Sequence, residues 1–516
     1  MHACICGVRE QPLSPSKTHS VRGPSHNDNM AQQAGGPEAG LHGIPLEEDI
    51  QFEVLDFDSP HDPDNPHNWA FLGRAWATFI LALLNLVVTI ASSIFGSAQA
   101  AIVDEFGVSE EVTVLGTSLF LVGYIFGPLL FGPLSEKFGR KYPLIGGVAV
   151  SALFSLMPAL GRNMATILIG RFFSGFFGVA PIAVLGGIIT DCWNAASRGV
   201  AMAFCICLVF SGPTFGPIIG GFIVGSSLSW RWTMWVVVIS GLAASLLGLL
   251  TFTETYPPRI LQMKAKRLRQ KTRNLNIRSS LDEEGIGARR IAQVYLVRPW
   301  RLFFTEPILV LLTIYQSFIY GLMYLFYQSY PIAFGAVRGW NQQSSSLALL
   351  GIILGVVIGT FTVVAYNETY FKHQLKVNRG AFEPEARLPL MIFGGLLVPM
   401  GLFWYAWTSD PSIPWPSEVC AGILIGWGMY TIFIQCFTYI VDCYTIMANS
   451  AMAANGALRS VFGAAFPLFA ESMYRGLGVP WSTSILAFFS LVMVPVPIIF
   501  WYYGRRIRAW SRGEKT

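Results

Sequence analysis

The sequence predicts an all-α polytopic membrane protein with twelve transmembrane helices, arranged as two six-helix bundles, and with both termini in the cytosol. Of its 516 residues, 53% are hydrophobic and only 13% are charged, whereas soluble domains carry about 25% charged residues. Apolar runs of about 20 residues, the length that crosses a bilayer as a helix, recur along the chain. Basic residues concentrate in alternate connections between these runs. Together these observations exclude a chain of soluble domains.

The apolar runs begin after a polar tail and continue almost to the end of the chain. Helices are the only spanning structure that fits them, because the strands of a β-barrel would alternate apolar and polar residues. The twelve predicted spans lie near residues 76–97, 112–134, 143–161, 164–190, 199–224, 232–253, 307–332, 347–366, 388–408, 418–441, 450–473 and 482–503.

The distribution of Lys and Arg predicts the orientation of these spans. With the N-terminus inside, the inner loops and the C-terminal tail hold 25 basic residues and the outer loops hold four. Because basic residues are retained on the cytosolic side, this asymmetry favours twelve spans with both ends inside. We therefore name the two ends of the molecule inner and outer.

The connections divide the chain into five predicted parts. The first is rich in Pro, Gly, Ser and His, a composition typical of disorder, and Met30 within it is an alternative start. The long central connection contains seven basic residues and no acidic residue over 259–273, which favours contact with an anionic inner leaflet over nucleic acid. The parts are a disordered cytosolic N-terminal tail (1–70), an N-terminal six-helix bundle (71–253), a basic cytosolic linker (254–306), a C-terminal six-helix bundle (307–504) and a cytosolic tail (505–516).

The two halves of the chain resemble each other. The fourth predicted span ends in ITDCW (189–193) and the tenth ends in IVDCY (440–444), and each is soon followed by Ala-Met-Ala, at 201–203 and 451–453. The offsets, 251 and 250 residues, agree at equivalent span ends. This parallel repeat predicts two related bundles that rock about a central site, as in rocker-switch carriers.

The loop between the second and third spans reads GPLSEKFGRKYPL (132–144). Its basic residues alone would hold the loop on the cytosolic side, but that role does not require an ordered pattern of glycines, acid and bases. It resembles the signature loop of the major facilitator superfamily, with Glu136 where the family has Asp. The resemblance implies that Glu136 and Arg140 belong to a charge relay at the inner gate, with Asp191 at the inner end of span four as their partner.

The fifth span contains SGPTFGPIIGGF (211–222). Small residues at four-residue spacing let another backbone approach closely, so a general packing stripe is one interpretation. The doubled Gly-Pro followed by Gly-Gly is similar to the antiporter motif of the superfamily, which implies proton-coupled export. The residues of this motif are Gly212, Pro213, Gly216, Pro217, Gly220 and Gly221.

A second glycine stripe, Gly351, Gly355 and Gly359, lies in span eight. Spans five and eight run in opposite directions and neighbour each other in the superfamily architecture. We therefore predict that the two stripes face each other and form a sliding contact between the bundles.

Other segments resemble fungal twelve-span drug:proton antiporters, beginning with DPDNPHNW (62–69) and continuing to YYGRRIR (502–508). Residues 367–387 keep only a degenerate copy of the signature loop, which weakens the expected symmetry between the halves. No G-x-x-x-x-G-K-[ST] phosphate loop occurs in the sequence, so ATP-driven pumping is not expected.

Ionisable residues inside spans are costly and usually functional. Arg171 in span four matches the arginine that the resemblance links to proton coupling, and Glu471 near the outer end of span eleven is a second candidate. A charge that stabilises bundle packing is the alternative for Arg171, and more so for Arg459 in span eleven.

Polar and aromatic side chains repeat on one face of span seven, where Gln316, Tyr320, Tyr324 and Gln328 lie four residues apart. They predict the wall of a cavity for a large, amphipathic, mostly neutral molecule, whereas hydrogen bonds between helices are the alternative. The residues predicted to line the cavity are Gln316, Tyr320, Tyr324, Tyr327, Gln435, Tyr439 and Asn455.

These expectations combine into a secondary active transporter that exports small amphipathic compounds, such as a drug, toxin or secondary metabolite, by proton antiport with alternating access. A proton-coupled importer or polyamine-type carrier of the same fold is the alternative, and a non-transporting membrane sensor is a third hypothesis. We expect no enzymatic activity, cofactor, metal or nucleic-acid partner. We expect a monomer in the plasma membrane, whose partners are its substrate, protons and lipid.

Overall fold

The computed structural model describes residues 53–274, 276–283, 293, 297–377, 383–444 and 447–510. Met1–Gln51 form a separate unit outside these residues, together with the alternative start at Met30. All described residues belong to the second unit, Phe52–Thr516, and most of them are helical.

Helices of the N-terminal half follow the apolar runs of the sequence. Asparagine side chains cap two of them, since Asn163 accepts a hydrogen bond from the Thr166 N–H and Asn194 from the Ser197 N–H. The helices are α1 (Phe71–Ser93), α2 (Gln99–Phe106), α3 (Glu110–Phe138), α4 (Lys141–Phe154), α5 (Leu156–Leu160), α6 (Met164–Gly178), α7 (Ala180–Cys192), α8 (Ala195–Val224), α9 (Trp232–Thr251), α10 (Pro257–Thr272) and α11 (Ser280–Glu283).

Helices of the C-terminal half continue from the central linker. A π-helical segment, Pro331–Val337, extends the outer end of the helix Pro307–Tyr330. A second one, Asn367–Phe371, extends the inner end of the helix Leu350–Tyr366. The helices are α12 (Arg298–Thr305), α13 (Pro307–Tyr330), α14 (Gln342–Leu347), α15 (Leu350–Tyr366), α16 (Lys372–Val377), α17 (Leu388–Thr408), α18 (Trp415–Cys443), α19 (Ala448–Met493) and α20 (Pro495–Trp510).

Eleven helical segments among the described residues are long and apolar enough to cross a membrane. Ten of them coincide with the first ten predicted spans, and the eleventh is the 61-residue segment Ala448–Arg508. Its direction reverses at Gly478, whose φ of 76° and ψ of 163° suit only glycine. The Ser482 hydroxyl consequently donates to the Met473 carbonyl over 2.9 Å, although nine residues separate them. The segment thus holds two helical arms, while the count of twelve spans and the cytosolic ends stay predictions.

Packing is extensive within each half of the chain and more limited between the halves. In the N-terminal half α1 packs against α8 and α3 against α6, and in the C-terminal half α13 packs against α19 and α18 against both α15 and α17. Two helix pairs carry most of the contact between the halves, namely α3 with α19 and α8 with α15.

The end of the N-terminal tail is ordered, so the prediction that residues 1–70 are disordered is wrong for residues 53–70. Strand β1 (Glu53–Val54) pairs in parallel with β2 (Ile277–Arg278) of the linker. Lys264 on α10 lies 2.7 Å from Asp58 and 3.3 Å from Asp62. Hydrogen bonds from the backbone N–H groups of Asp64 and Asp58 lower the pKa of the Asp62 carboxyl. These charge-assisted contacts hold the tail against the linker.

Candidate functional site

At the inner end of the N-terminal half, Arg140 and Asp191 form an ion pair. The Arg140 Nε lies 3.2 Å from Asp191 Oδ2, and the two side chains are only 8% and 13% exposed. The Arg140 Nη1 also donates to the Ser135 hydroxyl over 2.8 Å, and the guanidinium lies over the Tyr256 ring. The structure therefore brings together two of the three residues that the signature loop predicts for the inner gate.

Glu254, a residue that was not predicted, fixes the signature loop through hydrogen bonds to its backbone. One of its carboxylate oxygens accepts hydrogen bonds from the backbone N–H groups of Arg140 and Tyr256, at 2.8 and 3.0 Å, and the other from that of Lys141, at 3.2 Å. A carboxylate is favourable there, because α4 begins at Lys141 and the N-terminus of a helix attracts negative charge. Gly139 passes this carboxylate with φ of 87°, and a Cβ at that position would overlap it.

Glu136, the third predicted gate residue, contacts the opposite half of the molecule. Its carboxylate accepts a hydrogen bond from the Asn449 amide over 3.1 Å. Asn449 lies at the start of α19, just after the repeated Asp-Cys-aromatic element. The signature loop thus joins the two halves at the inner end.

A second ion pair at the inner end of the C-terminal half was not predicted. The Arg387 Nε lies 3.3 Å from Asp442 Oδ2, its Nη1 donates to Asn367 over 2.7 Å, and its guanidinium lies over Phe371. Asp442 is the repeat equivalent of Asp191, so the repeat could have pointed to this pair. Its partner, Arg387, lies 20 residues after Asn367. The sequence between these residues keeps only a degenerate copy of the signature loop, so the arginine was not recognised.

The glycine stripe of the antiporter motif packs against α1 and the residues just after it, and not against the glycine stripe of span eight. Added Cβ atoms at Gly212 and Gly216 would meet side-chain hydroxyls of α1, and one at Gly220 would lie 2.6 Å from the Oγ of Ser97, just after α1. The stripe of span eight lies against α18 in the same way, with a Cβ at Gly359 only 2.8 Å from the Tyr430 ring. The prediction that the two stripes face each other is therefore wrong, because each stripe packs within its own half.

Spans five and eight do meet, but through other residues. A Cβ at Gly221, the last residue of the antiporter motif, would overlap the Ser346 side chain at the start of span eight. At the opposite end of the same helices, a Cβ at Gly199 would lie 3.0 Å from the Asn367 amide nitrogen.

A cavity of about 450 Å³ lies between the two halves of the chain, and the outer ends of helices from both halves line most of it. Tyr324 and Tyr327 of α13 line it, and their hydroxyls share hydrogen bonds with Ser92 at 2.7 Å and with Thr214 at 3.0 Å. Apolar surface from Pro217, the second proline of the antiporter motif, completes one wall. The cavity thus combines aromatic surface with hydroxyl groups.

Two other predicted cavity residues, Gln316 and Asn455, belong to a buried hydrogen-bond network. The Asn455 amide donates to Gln316 Oε1 over 2.9 Å and to Thr313 over 3.2 Å, which joins α19 to α13. This arrangement favours the alternative, hydrogen bonds between helices, for these amides. The described residues that line the cavity do not include Gln316, Tyr320, Gln435, Tyr439 or Asn455, all of which are buried.

The predicted proton-coupling residues occupy two different environments. Arg171 is fully buried, and its guanidinium donates to the carbonyls of Gly116, Ala91 and Ser92 at 2.9, 2.8 and 3.1 Å. Glu471 lines the mouth of the cavity, where its carboxylate lies 2.5 Å from Arg475. Arg475 also pairs with Glu110 of α3 at 3.1 Å. Two carboxylates therefore share one guanidinium at the mouth, and Glu110 was not predicted.

Arg459 lies deeper on α19 than Glu471. Its guanidinium lies 5.0 Å from the centres of both the Tyr320 and the Phe433 rings. The residue is 6% exposed, and its Nε has no hydrogen-bond partner among the described residues.

Comparisons with known proteins place this architecture in a family. The profile of the Major Facilitator Superfamily matches residues 81–467. The chain is 46% identical to the MFS-type transporter oryN of Aspergillus oryzae, with 90% of each chain covered. It is 44% identical to the citrinin biosynthesis cluster MFS transporter mrr1 of Monascus ruber, covering 90% of this chain and 93% of that one.

A solved structure shows the same fold. The proton:xylose symporter XylE bound to 6-bromo-6-deoxy-D-glucose matches with a TM-score of 0.59 and 18% identity, covering 84% of this chain and 96% of that chain. From the matched profile and the two fungal relatives, we conclude that this chain belongs to the major facilitator superfamily of membrane transporters.

Proposed function

We propose that the protein exports small amphipathic organic compounds, such as a drug, toxin or secondary metabolite, by proton antiport across the plasma membrane. The observation that carries the proposal is the cavity of about 450 Å³ between the halves, with its tyrosine-lined wall. That volume is in the range of sites for drug-sized molecules. The name of the Monascus ruber relative, which refers to a biosynthesis cluster, supports a secondary metabolite as the cargo.

Alternating access is supported by the contacts that close the inner side. Below the cavity, the Tyr430 hydroxyl donates to the Ala203 carbonyl over 2.8 Å, and the rings of Phe210 and Phe433 lie 4.6 Å apart. Farther in, Glu136 and Asn449 join the halves. This conformation corresponds to the state in which the cavity is reached from outside. Loading from the cytosol requires these contacts to separate while the outer ends of the two bundles approach each other.

The gate residues have a role in that change. Arg140 and Asp191 keep the signature loop in one geometry, so Glu136 is presented to Asn449. Breaking the Glu136–Asn449 hydrogen bond leaves the Arg140–Asp191 pair inside its own bundle. We propose that the pair maintains the shape of the bundle and that Glu136 is the part of the relay that opens.

Proton coupling is assigned to the mouth of the cavity. When Glu471 is ionised it pairs with Arg475, and a proton from outside would release that guanidinium to Glu110. Arg171 connects to the same cavity, because it holds the Ser92 carbonyl while the Ser92 hydroxyl contacts Tyr324. We propose Glu471 as the proton carrier and Arg171 as the residue that positions α1.

The test is accumulation of a panel of amphipathic compounds in cells with and without the protein. Export predicts lower accumulation with the protein, and a protonophore should abolish the difference. Glu471→Gln, at matched surface abundance, should remove the response to the pH gradient. Higher accumulation in the cells that contain the protein would instead support the importer. If ATP depletion with an intact proton gradient stopped transport at once, proton antiport would be refuted.

A further inference from the structure

Arg459 has an environment that packing alone does not explain. None of the ion pairs among the described residues includes this guanidinium, and its Nε donates no hydrogen bond. The two aromatic rings beside it offer only the faces of their π-systems. A guanidinium carries five N–H donors, and the buried Arg171 uses all three of its nitrogens to donate to carbonyls. Arg459 therefore carries a positive charge and, among the described residues, has an N–H donor that no acceptor uses.

Arg459 also lies in line with the cavity. Pro467, Glu471 and Arg475 of α19 line the cavity and follow one another at four-residue steps, so they share one face of the helix. Continuing that face inward leads to Gly463 and then to Arg459. At Gly463 an added Cβ would lie 2.9 Å from the Tyr320 ring. Arg459 is thus beneath the cavity, about 12 Å along the helix from Pro467.

Two tyrosines separate the cavity from this guanidinium. Tyr324 lines the cavity, and the hydroxyls of Tyr320 and Tyr324 lie 3.4 Å apart. Tyr320 in turn covers Arg459. Because both rings belong to α13, a small rotation of these side chains would join the cavity to the arginine. The ligand path would then pass from aromatic walls to a positive charge.

We propose that the transported compounds are organic acids whose anionic group, such as a carboxylate, binds Arg459 while the aromatic or apolar body occupies the cavity. This inference rests on the proposed function and specifies its substrate class. A carboxylate matches the planar fork of a guanidinium and would satisfy the donors that the protein leaves unused. It would also neutralise a charge that, among the described residues, is compensated by aromatic faces and by no carboxylate. A neutral ligand could offer an oxygen to these donors but would leave the charge without a counter-ion.

The test compares aromatic carboxylic acids with their neutral primary amides, which have nearly the same shape. Binding of 2-naphthoate and 2-naphthamide, and of similar pairs, is measured by calorimetry on the purified full chain in detergent at neutral pH. We expect the wild type to bind at least one carboxylate about tenfold more tightly than its amide, since a hydrogen bond to a charged group typically contributes that much. Arg459→Gln should remove this preference while leaving amide binding unchanged. Arg162→Gln, which removes a charge from an outer loop, should keep it.

Arg459→Lys provides the second variant in case the glutamine variant does not fold. A lysine retains the charge but not the bidentate geometry, so the preference for the carboxylate should fall at least about threefold. The inference is overturned if amides bind as well as carboxylates, if Arg459→Gln keeps the preference, or if no pair binds at all. The cell accumulation experiment decides export separately, so a neutral exported compound would refute this inference and leave the proposed function in place.

Discussion

The inner ends of the two halves carry the same ion pair in different surroundings. Arg140–Asp191 and Arg387–Asp442 join equivalent atoms at 3.2 and 3.3 Å, and each arginine has an aromatic ring beneath it. In the N-terminal half the loop is also fixed by Glu254, whereas in the C-terminal half the Asn367 amide takes the place of the Ser135 hydroxyl. The ion pair therefore persists where the signature sequence has degenerated.

The difference shows which parts of the signature loop serve the bundle and which serve the gate. An arginine paired with the repeated aspartate occurs in both halves, so it belongs to the bundle. The tight turn at Gly139 and its contact with Glu254 occur in the N-terminal loop. That loop presents an acid, Glu136, to the opposite half, while the other presents the amide of Asn367 near Gly199.

The largest expected effect comes from removing either arginine. Arg140→Ala and Arg387→Ala each leave a mostly buried aspartate without its partner, which costs roughly 3–5 kcal/mol when a pair is fully buried. The aspartates are 13% and 20% exposed, so we expect somewhat less. Both variants should lower transport about tenfold or more at matched surface abundance. Lys137→Ala, in the same loop but exposed, is the control. Normal transport by Arg387→Ala beside an inactive Arg140→Ala would show that the two pairs are not equivalent.

The second effect is confined to the N-terminal loop. Gly139→Ala forces a side chain into a backbone conformation that costs about 1–3 kcal/mol and displaces the Glu254 carboxylate. The melting temperature of the purified protein should fall by several degrees. Gly146→Ala is the matched control, because an added Cβ there meets no atom within 4 Å. Equal melting temperatures for the two variants would mean that Glu254 does not fix the loop.

Disulfide crosslinking tests whether both inner contacts open together. In a background without the eight native cysteines, Glu136→Cys with Asn449→Cys, and Gly199→Cys with Asn367→Cys, should each crosslink when the inner side is closed. Both crosslinks should weaken together when a ligand or pH gradient favours the other access state. A pair that crosslinks equally in every state would remove that contact from the gate. Gly216→Cys with Gly355→Cys is the negative control, because each of these glycines packs within its own half.

The smallest effect concerns the tail that braces the linker. Lys264→Ala removes contacts with Asp58, Asp62 and Asp64, and two of these partners, Asp58 and Asp64, are 74% and 56% exposed. Exposed ion pairs contribute about 0–1 kcal/mol, so transport should be unchanged and the melting temperature should fall slightly. Removal of residues 1–58, which include β1, should have a larger effect on the melting temperature than Lys264→Ala. If the two changes were indistinguishable, the strand pairing would contribute nothing measurable.

Hydropathy predicted much of the fold because each span must bury its own backbone and present apolar side chains to lipid. The segments Phe71–Phe106 to Trp415–Cys443 lie where the apolar runs predicted them. The tail at 53–70 was missed because its stability depends on a distant strand at 277–278 and on Lys264. Nothing in the local composition indicates such a partner.

The site was predictable only where the sequence itself contained a repeated or ordered pattern. Asp191 was predicted through the repeat and the signature loop. Arg387, the partner of Asp442, was not, because the loop at 367–387 keeps only a degenerate copy of the signature sequence. The spacing of the glycines predicted that another helix packs closely on each stripe, but it did not indicate which helix, since spacing describes one surface only. Arg459 and Glu110 could be evaluated only after α3, α13 and α19 had been brought together.

The pairing of β1 with β2 has a consequence for biosynthesis. The strand at Glu53–Val54 finds its partner only after Ile277–Arg278 has left the ribosome, when all the helices of the N-terminal half have been made. Because domains commonly fold as units in the order of synthesis, the tail would pair with the linker before the second bundle is inserted. A chain arrested far enough beyond residue 306 for Ile277–Arg278 to have left the ribosome should therefore already protect residues 53–70 from protease, and one arrested before residue 277 should not.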